Sequence, residues 1–156
     1  MKPRDYIDLS KRMLTVSNGK PSQVVLRRAT STAYYALFHT LAACGANLLI
    51  GGTKSTRSNE AWRQVYRALE HGFAKNTCRN GEIISKFPKG IEDFANMFVA
   101  MQEKRHKADY DPTVSFSKSA VRQDINAAEE AMHAFEVEHR RDRCAFAAYV
   151  LFKNRN

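Results

Sequence analysis

The apolar residues of this chain recur every three or four positions almost from end to end, and no segment alternates apolar with polar residues. Three-and-four spacing puts apolar groups on one face of a helix, whereas a half-buried strand needs period two. An all-α fold is therefore expected. Tyr6, Leu9, Met13 and Val16 mark a first helix, with Asp5 as its N-cap. Ser17-Asn-Gly-Lys-Pro21 reads as a turn, with Pro21 in the first turn of the next helix, where its fixed φ costs nothing. That second helix runs to about Leu49, and Leu26, Ala33, Leu37, Cys44 and Leu48 share one side of it. After a loop at Gly51-Gly-Thr-Lys-Ser-Thr-Arg-Ser58, Trp62, Val65, Tyr66, Leu69 and Phe73 form the stripe of one third helix. Residues 76–90 contain Asn80-Gly81, Pro88 and Gly90 and predict an irregular connection with at most one short helical turn. Ile91, Phe94 and Phe98 begin a fourth helix that runs to Tyr110 and stops at Pro112. Ser117 is placed to cap a fifth, with Phe116 and Val121 as a hydrophobic staple. Val121, Ile125, Ala128, Met132 and Phe135 supply the buried face of that helix. Mostly short loops between such helices predict an antiparallel bundle of four to five helices.

A chain of 156 residues with 44% hydrophobic residues fits a single domain over residues 1–156. Its core is expected over residues 5–137, followed by a basic and apolar tail over 138–156. Residues 144–152 are apolar with few β-branched side chains, so helix is expected there, buried against the bundle or a partner. The most apolar window, residues 33–50, contains His39, Thr40 and Asn47, which argues against a membrane span. Three scattered cysteines, Cys44, Cys78 and Cys144, give neither a disulfide framework nor a zinc ribbon and fit a reducing cytoplasm. The first residues lack the apolar region of a signal peptide. No phosphate loop, dinucleotide glycine pattern, His-Glu-x-x-His pair or nucleophile elbow is present, so no metal or other cofactor is expected.

The formal net charge is +9, and it is uneven. Residues 1–91 carry 15 basic and 5 acidic residues, a net of +10; residues 92–139 carry 5 and 10, a net of −5. Between Asp8 and Glu60 there is no acidic residue, against Lys11, Arg12, Lys20, Arg27, Arg28, Lys54 and Arg57. A stretch of one sign around an aromatic helix suggests either a surface that meets a polyanion, RNA above all, or a buried helix with solvated basic ends. Arg27 and Arg28 would meet phosphates, and Tyr34 and Tyr35 would offer ring faces to bases.

Two constellations carry chemistry. On the second helix, Arg28, Thr32, Tyr35 and His39 are spaced four, three and four, so they fall within about 60° of arc, opposite the Leu26–Leu48 stripe. Arginine clamps phosphate and histidine moves a proton near neutral pH. The same seam also suits a bundle helix whose polar atoms are satisfied internally. At the end of the fourth helix stands Arg105-His-Lys-Ala-Asp-Tyr-Asp-Pro112. Arg105 and Asp109 fall on the side of Ile91, Phe94 and Phe98, and charges on an apolar side need partners. Either Asp109 simply pairs with Arg105, or it orients Arg105 in a cleft beside His106 and Tyr110.

Together these segments, with Val114-Ser-Phe-Ser117 following the second, resemble the HEPN family, in particular its short single-domain bacterial members. The resemblance covers about residues 5–137. It implies a four- to five-helix bundle that often dimerises, so a homodimer is expected, and binding of RNA or a nucleotide, or metal-independent cutting of RNA, in a toxin–antitoxin or defence setting. The alternative it implies is a non-catalytic protein that partners a nucleotidyltransferase-like chain. Cutting members of the family use an Arg followed four to six residues later by a His; the RNA 2′-hydroxyl attacks the neighbouring phosphate, with His as acid and base and Arg steadying the charge. Here His106 follows Arg105 directly, while Asp109 and Tyr110 stand four and five residues on. By this resemblance Arg105 steadies phosphate charge, His106 or His39 carries the proton, and Arg27, Arg28, Tyr34, Tyr35, Asp109 and Tyr110 contact the nucleic acid.

Overall fold

The structure, a computed structural model, describes residues 1–16 and 19–155. Among them are eight helices and no strands: α1 (Pro3–Thr15), α2 (Gln23–Leu49), α3 (Asn59–Ala68), α4 (His71–Arg79), α5 (Gly81–Ile84), α6 (Lys89–Tyr110), α7 (Lys118–Glu136) and α8 (Arg140–Leu151). The all-α class holds, but the count of four to five does not. Leu69 and Glu70 are both extended and split the expected third helix into α3 and α4. The expected irregular connection carries the end of α4 and the single turn of α5, and the tail forms α8. No helix among the described residues is long and apolar enough to cross a membrane.

Contacts between α1, α2, α6 and α7 run antiparallel from each helix to the next. Ser10 meets Ala29 while Tyr6 stacks on His39, so α1 descends as α2 rises. Tyr34 packs near Phe98 at one level and Ser31 reaches Asp109 at another, which opposes α2 and α6. Phe94 stacks on Phe135 at 4.3 Å and Lys104 bonds Asp124, which opposes α6 and α7. Serine caps fix three starts: Ser22, Ser58 and Ser117 accept from Val25, Ala61 and Ala120 backbone N–H. Pro21 therefore precedes the α2 cap instead of lying in its first turn. Ser17 and Asn18 of the expected turn lie outside the described residues.

Two other expectations shift. Asp5 is not the α1 cap; Lys2 is, and the Asp5 carboxylate accepts from the Lys2 backbone N–H at 2.7 Å. The buried face of α1 is Ile7, Ser10 and Leu14, not Leu9 and Val16, which are exposed. Ser10 makes this possible: its small side chain lets α1 approach α2 closely, and its hydroxyl donates to the Ala29 carbonyl at 2.6 Å. The core also extends past residue 137. Phe146 of α8 is fully buried, edge-on to Phe87, Phe94 and Phe135. Gly45 accommodates α8, since a Cβ there would lie 2.9 Å from Leu151 Cδ1. Each fully buried aromatic contributes about 2 kcal/mol, so α8 is an integral part of the fold.

Candidate functional site

Where α2 and α6 run antiparallel, the Arg28–His39 seam faces the Arg105–Asp109 turn. Arg105 Nη2 donates to the Tyr35 hydroxyl at 3.2 Å. Its Nε lies 3.0 Å from Asp109 Oδ2, an ion pair in which the N–H is not aligned for a hydrogen bond. The Ser31 hydroxyl reaches the same oxygen at 3.5 Å. The guanidinium also lies 5.6 Å from the ring centres of Tyr34 and Tyr35. Only 16% of the Arg105 side chain is exposed. Burial disfavours its charge, but the Tyr35 hydrogen bond and the Asp109 carboxylate outweigh that and raise its pKa further. A cation is thus held rigidly at the edge of an aromatic cluster.

Two histidines belong to that cluster. His39 stacks on Tyr6 at 4.8 Å and shares a hydrogen bond through Nδ1 with the Tyr66 hydroxyl. His71, at the start of α4, stacks on Phe38 at 4.1 Å and shares a 2.6 Å hydrogen bond through Nδ1 with the Tyr34 hydroxyl. The Gln102 side-chain amide donates to the His71 carbonyl at 3.1 Å. The Tyr35 ring lies 6.1 Å from His39 and 6.0 Å from His71, centre to centre, so one tyrosine touches both histidines and Arg105. Burial lowers the pKa of His39 below the usual 6.5. Burial does the same to His71, with Arg105 and His39 adding to the effect. Both rings are uncharged near neutral pH, with Nδ1 engaged, so proton transfer would run through Nε2.

The sequence-predicted residues divide. Arg105, Asp109, Tyr35 and His39 come together. His106 does not join them: it is exposed, with its ring 5.0 Å from Tyr110. Tyr34 is 0% exposed and offers no face to a base. Burial raises its hydroxyl pKa strongly, so it stays a neutral hydrogen-bonding group. Arg27 is taken up structurally: Nη1 donates to the carbonyls of Ala108 at 3.0 Å and Asp111 at 2.8 Å, and Nη2 donates to Val114. It caps the C-terminal end of α6, where carbonyls lack helical partners. Arg28 and Tyr110 are exposed. Tyr6, Tyr66 and His71 were missed as site residues. The places of Tyr66 and His71 follow from the unmarked break at Leu69–Glu70, which turns α3 and α4 back onto α2, whereas Tyr6 arrives from α1 by packing on His39.

The basic stretch is less uniform than its sequence. Lys11 pairs with Glu129, and Arg57 lies 4.3 Å over the Trp62 ring while donating to the Gly51 carbonyl. Arg12, Lys20, Arg28 and Lys54 are exposed and make no salt bridge among the described residues. Also among those residues, no three His, Cys, Asp or Glu side chains group in a way that could hold a metal ion. No protein-family model, curated protein or solved structure matches the chain.

Proposed function

We propose that this protein is a HEPN-like module that binds RNA, with Arg105 as its phosphate site. One observation carries this reading: a mostly buried arginine is held by Tyr35 and Asp109 beside two uncharged histidines. A preorganised guanidinium stabilises charge on a phosphate without having to reorganise. A neutral histidine is the form that accepts a proton. Should the site cut RNA, His39 or His71 removes the 2′-hydroxyl proton and the oxygen attacks the adjacent phosphorus. The bond from phosphorus to the 5′-oxygen then breaks, the leaving oxygen takes the proton back from the histidinium so formed, and a 2′,3′-cyclic phosphate remains. Arg105 neutralises the charge gathering on the phosphoryl oxygens. His106 has no part in this scheme, because it lies outside the cluster.

The exposed cations Arg12, Lys20, Arg28 and Lys54 add the sequence-independent attraction that an RNA strand feels. The test is binding of a mixed RNA at rising salt by wild type and Arg105→Ala, with cleavage followed with and without chelator. Affinity is expected to fall steeply with salt and to drop about tenfold or more in Arg105→Ala. Absence of binding at low salt, or an unchanged Arg105→Ala, overturns the proposal. A second reading, a protein partner such as a nucleotidyltransferase-like chain, has one observation in its favour. A cleft of about 650 Å³ where α4 meets α8 is lined by Phe73, Ala145, Tyr149 and Phe152, the last two exposed.

A further inference from the structure

The corner where α2 begins and α6 ends is tied together by side-chain hydrogen bonds. Arg27 ties α2 to the end of α6, and the Gln23 side chain makes two hydrogen bonds to Phe116, donating to its carbonyl at 2.8 Å and accepting from its N–H at 2.9 Å. On this locked frame lies a cleft of about 270 Å³ lined by Val24, Arg27, Arg28, Ala108, Asp109 and Tyr110. It continues past Arg27 into a second cleft of about 410 Å³, walled by Pro112 and Val114. Two apolar side chains in the first cleft are left in water: Val24 is 68% exposed and Tyr110 is 66% exposed. His106 steadies Tyr110 from one turn earlier, with ring centres 5.0 Å apart. Arg28, on the α2 wall, is exposed and makes no salt bridge among the described residues. Asp109 belongs both to this cleft and to the Arg105 ion pair, so the two sites are contiguous.

We infer that this cleft seats one unpaired base of an RNA strand, stacked on Tyr110 against Val24, with the neighbouring phosphate on Arg28. The inference rests on the RNA reading of Arg105 above and adds where the strand's base goes. An exposed tyrosine gives any base a face to stack on, and a cation beside it takes the phosphate that accompanies every base. The small volume and the adjoining cation fit a nucleotide better than an apolar protein segment.

The experiment compares a short oligoadenylate with an abasic ribose-phosphate strand of the same length, against wild type, Tyr110→Ala, Tyr110→Phe and Arg28→Ala. Tyr110→Ala is expected to weaken the oligoadenylate about tenfold, the effect of one lost base–aromatic stack, and to leave the abasic strand unchanged. Tyr110→Phe keeps the stack and binds as wild type does. Arg28→Ala weakens both strands alike. Equal effects of Tyr110→Ala on the two strands, or none on either, overturn the base subsite while salt-dependent, Arg105-dependent binding of both strands still supports the RNA reading. Failure of wild type to bind either strand at low salt overturns both. Because Tyr110 is exposed, its replacement leaves the fold intact, and an unchanged urea midpoint checks this.

Discussion

Arg27→Ala is expected to destabilise the fold by about 2–3 kcal/mol, whereas Arg28→Ala, one residue on, changes it by less than about 0.5 kcal/mol. The difference comes from what each guanidinium touches. Arg27 makes three hydrogen bonds of useful length, to Ala108, Asp111 and Val114; its 3.4 Å approach to the Lys107 carbonyl is too long to count. A bond from a charged donor is worth about 1.5–3 kcal/mol when its acceptor is left unsatisfied. These acceptors sit at a part-exposed helix end where water can return, so about 1 kcal/mol per bond is retained. The guanidinium also lies 5.3 Å from the Phe116 ring centre and anchors the connection that leads into α7. In a chain of this length 1 kcal/mol moves Tm by about 2–4 °C, so Arg27→Ala should melt about 5–10 °C lower. Urea unfolding followed by far-ultraviolet circular dichroism measures this directly, with an unchanged slope showing that only stability has moved. Equal midpoints for Arg27→Ala and Arg28→Ala would refute the capping role. The consequence for binding experiments is practical: loss of RNA affinity in Arg27→Ala mixes unfolding with lost contact, so Arg28→Ala is the informative variant.

Acid should destabilise the protein through its histidines. Both have folded-state pKa values below the usual 6.5, so as pH falls through 6.5 the unfolded chain takes up protons that the folded chain does not. Stability is full above that pH and declines until the folded-state values are passed. The double variant His39→Gln/His71→Gln should show a flatter urea midpoint between about pH 7 and about pH 5, and an equally steep loss there would contradict the assignment. Gly90→Ala should cost about 1–3 kcal/mol, because a Cβ at residue 90 would lie 2.7 Å from the Ala134 backbone carbonyl, and backbone cannot step aside. A normal urea midpoint would show that α6 and α7 can part. Phe146→Ala should cost about 3–5 kcal/mol, and truncation after Glu138 should leave the chain without a cooperative transition, since both uncover Phe94 and Phe135. A truncated chain that melts sharply would remove α8 from the core. If the four exposed cations Arg12, Lys20, Arg28 and Lys54 each meet a phosphate, the logarithm of RNA affinity should fall with the logarithm of salt at a slope of about −3. A flat dependence would mean that these cations do not meet RNA.

Much of the fold was legible because its signals are local. Ser117 before an apolar periodic run marks a capped helix start, and the hydroxyl does accept from Ala120. Pro112 ends α6 as its missing N–H and steric bulk require. The α1 face was misplaced by one position because Ser10 is polar by type, yet it is buried by a single hydrogen bond to another helix. The split between α3 and α4 was not legible at all. Neither Gly nor Pro marks Leu69–Glu70, and the stripe of Trp62, Tyr66, Leu69 and Phe73 continues across the break in helical phase. What breaks the helix is tertiary: α3 lays its aromatic rings on the His39 end of α2, whereas α4 packs His71 against Phe38 and Gln102. The His39–Tyr66 and Tyr34–His71 pairs follow from that break and were hidden with it.

The two arginines that α2 and α6 exchange across their interface show why residue type and helical phase identify a site only in part. Arg27 and Arg105 both sit at the contact between these helices, and both carry the fork of donors that suits phosphate. Arg27 reaches the end of α6, where backbone carbonyls have no helical partner and accept its donors one after another. Those acceptors are neutral and fixed, and a ligand would have to strip them from the guanidinium at the expense of the fold. Arg105 reaches the middle of α2 at Tyr35, where backbone carbonyls are taken up by that helix's own ladder, so its partners are side chains: one hydroxyl on α2 and one carboxylate on its own helix. The carboxylate is met at Nε without an aligned N–H. Such partners orient the guanidinium without saturating its five donors, which is what the proposed phosphate site requires. A helix's own hydrogen-bond ladder therefore separates an arginine used up by backbone carbonyls from one held by side chains alone. The position of each arginine along its neighbour is a property of the packed pair, which is why Arg27 and Arg28 carried equal weight in the sequence and unequal weight in the fold.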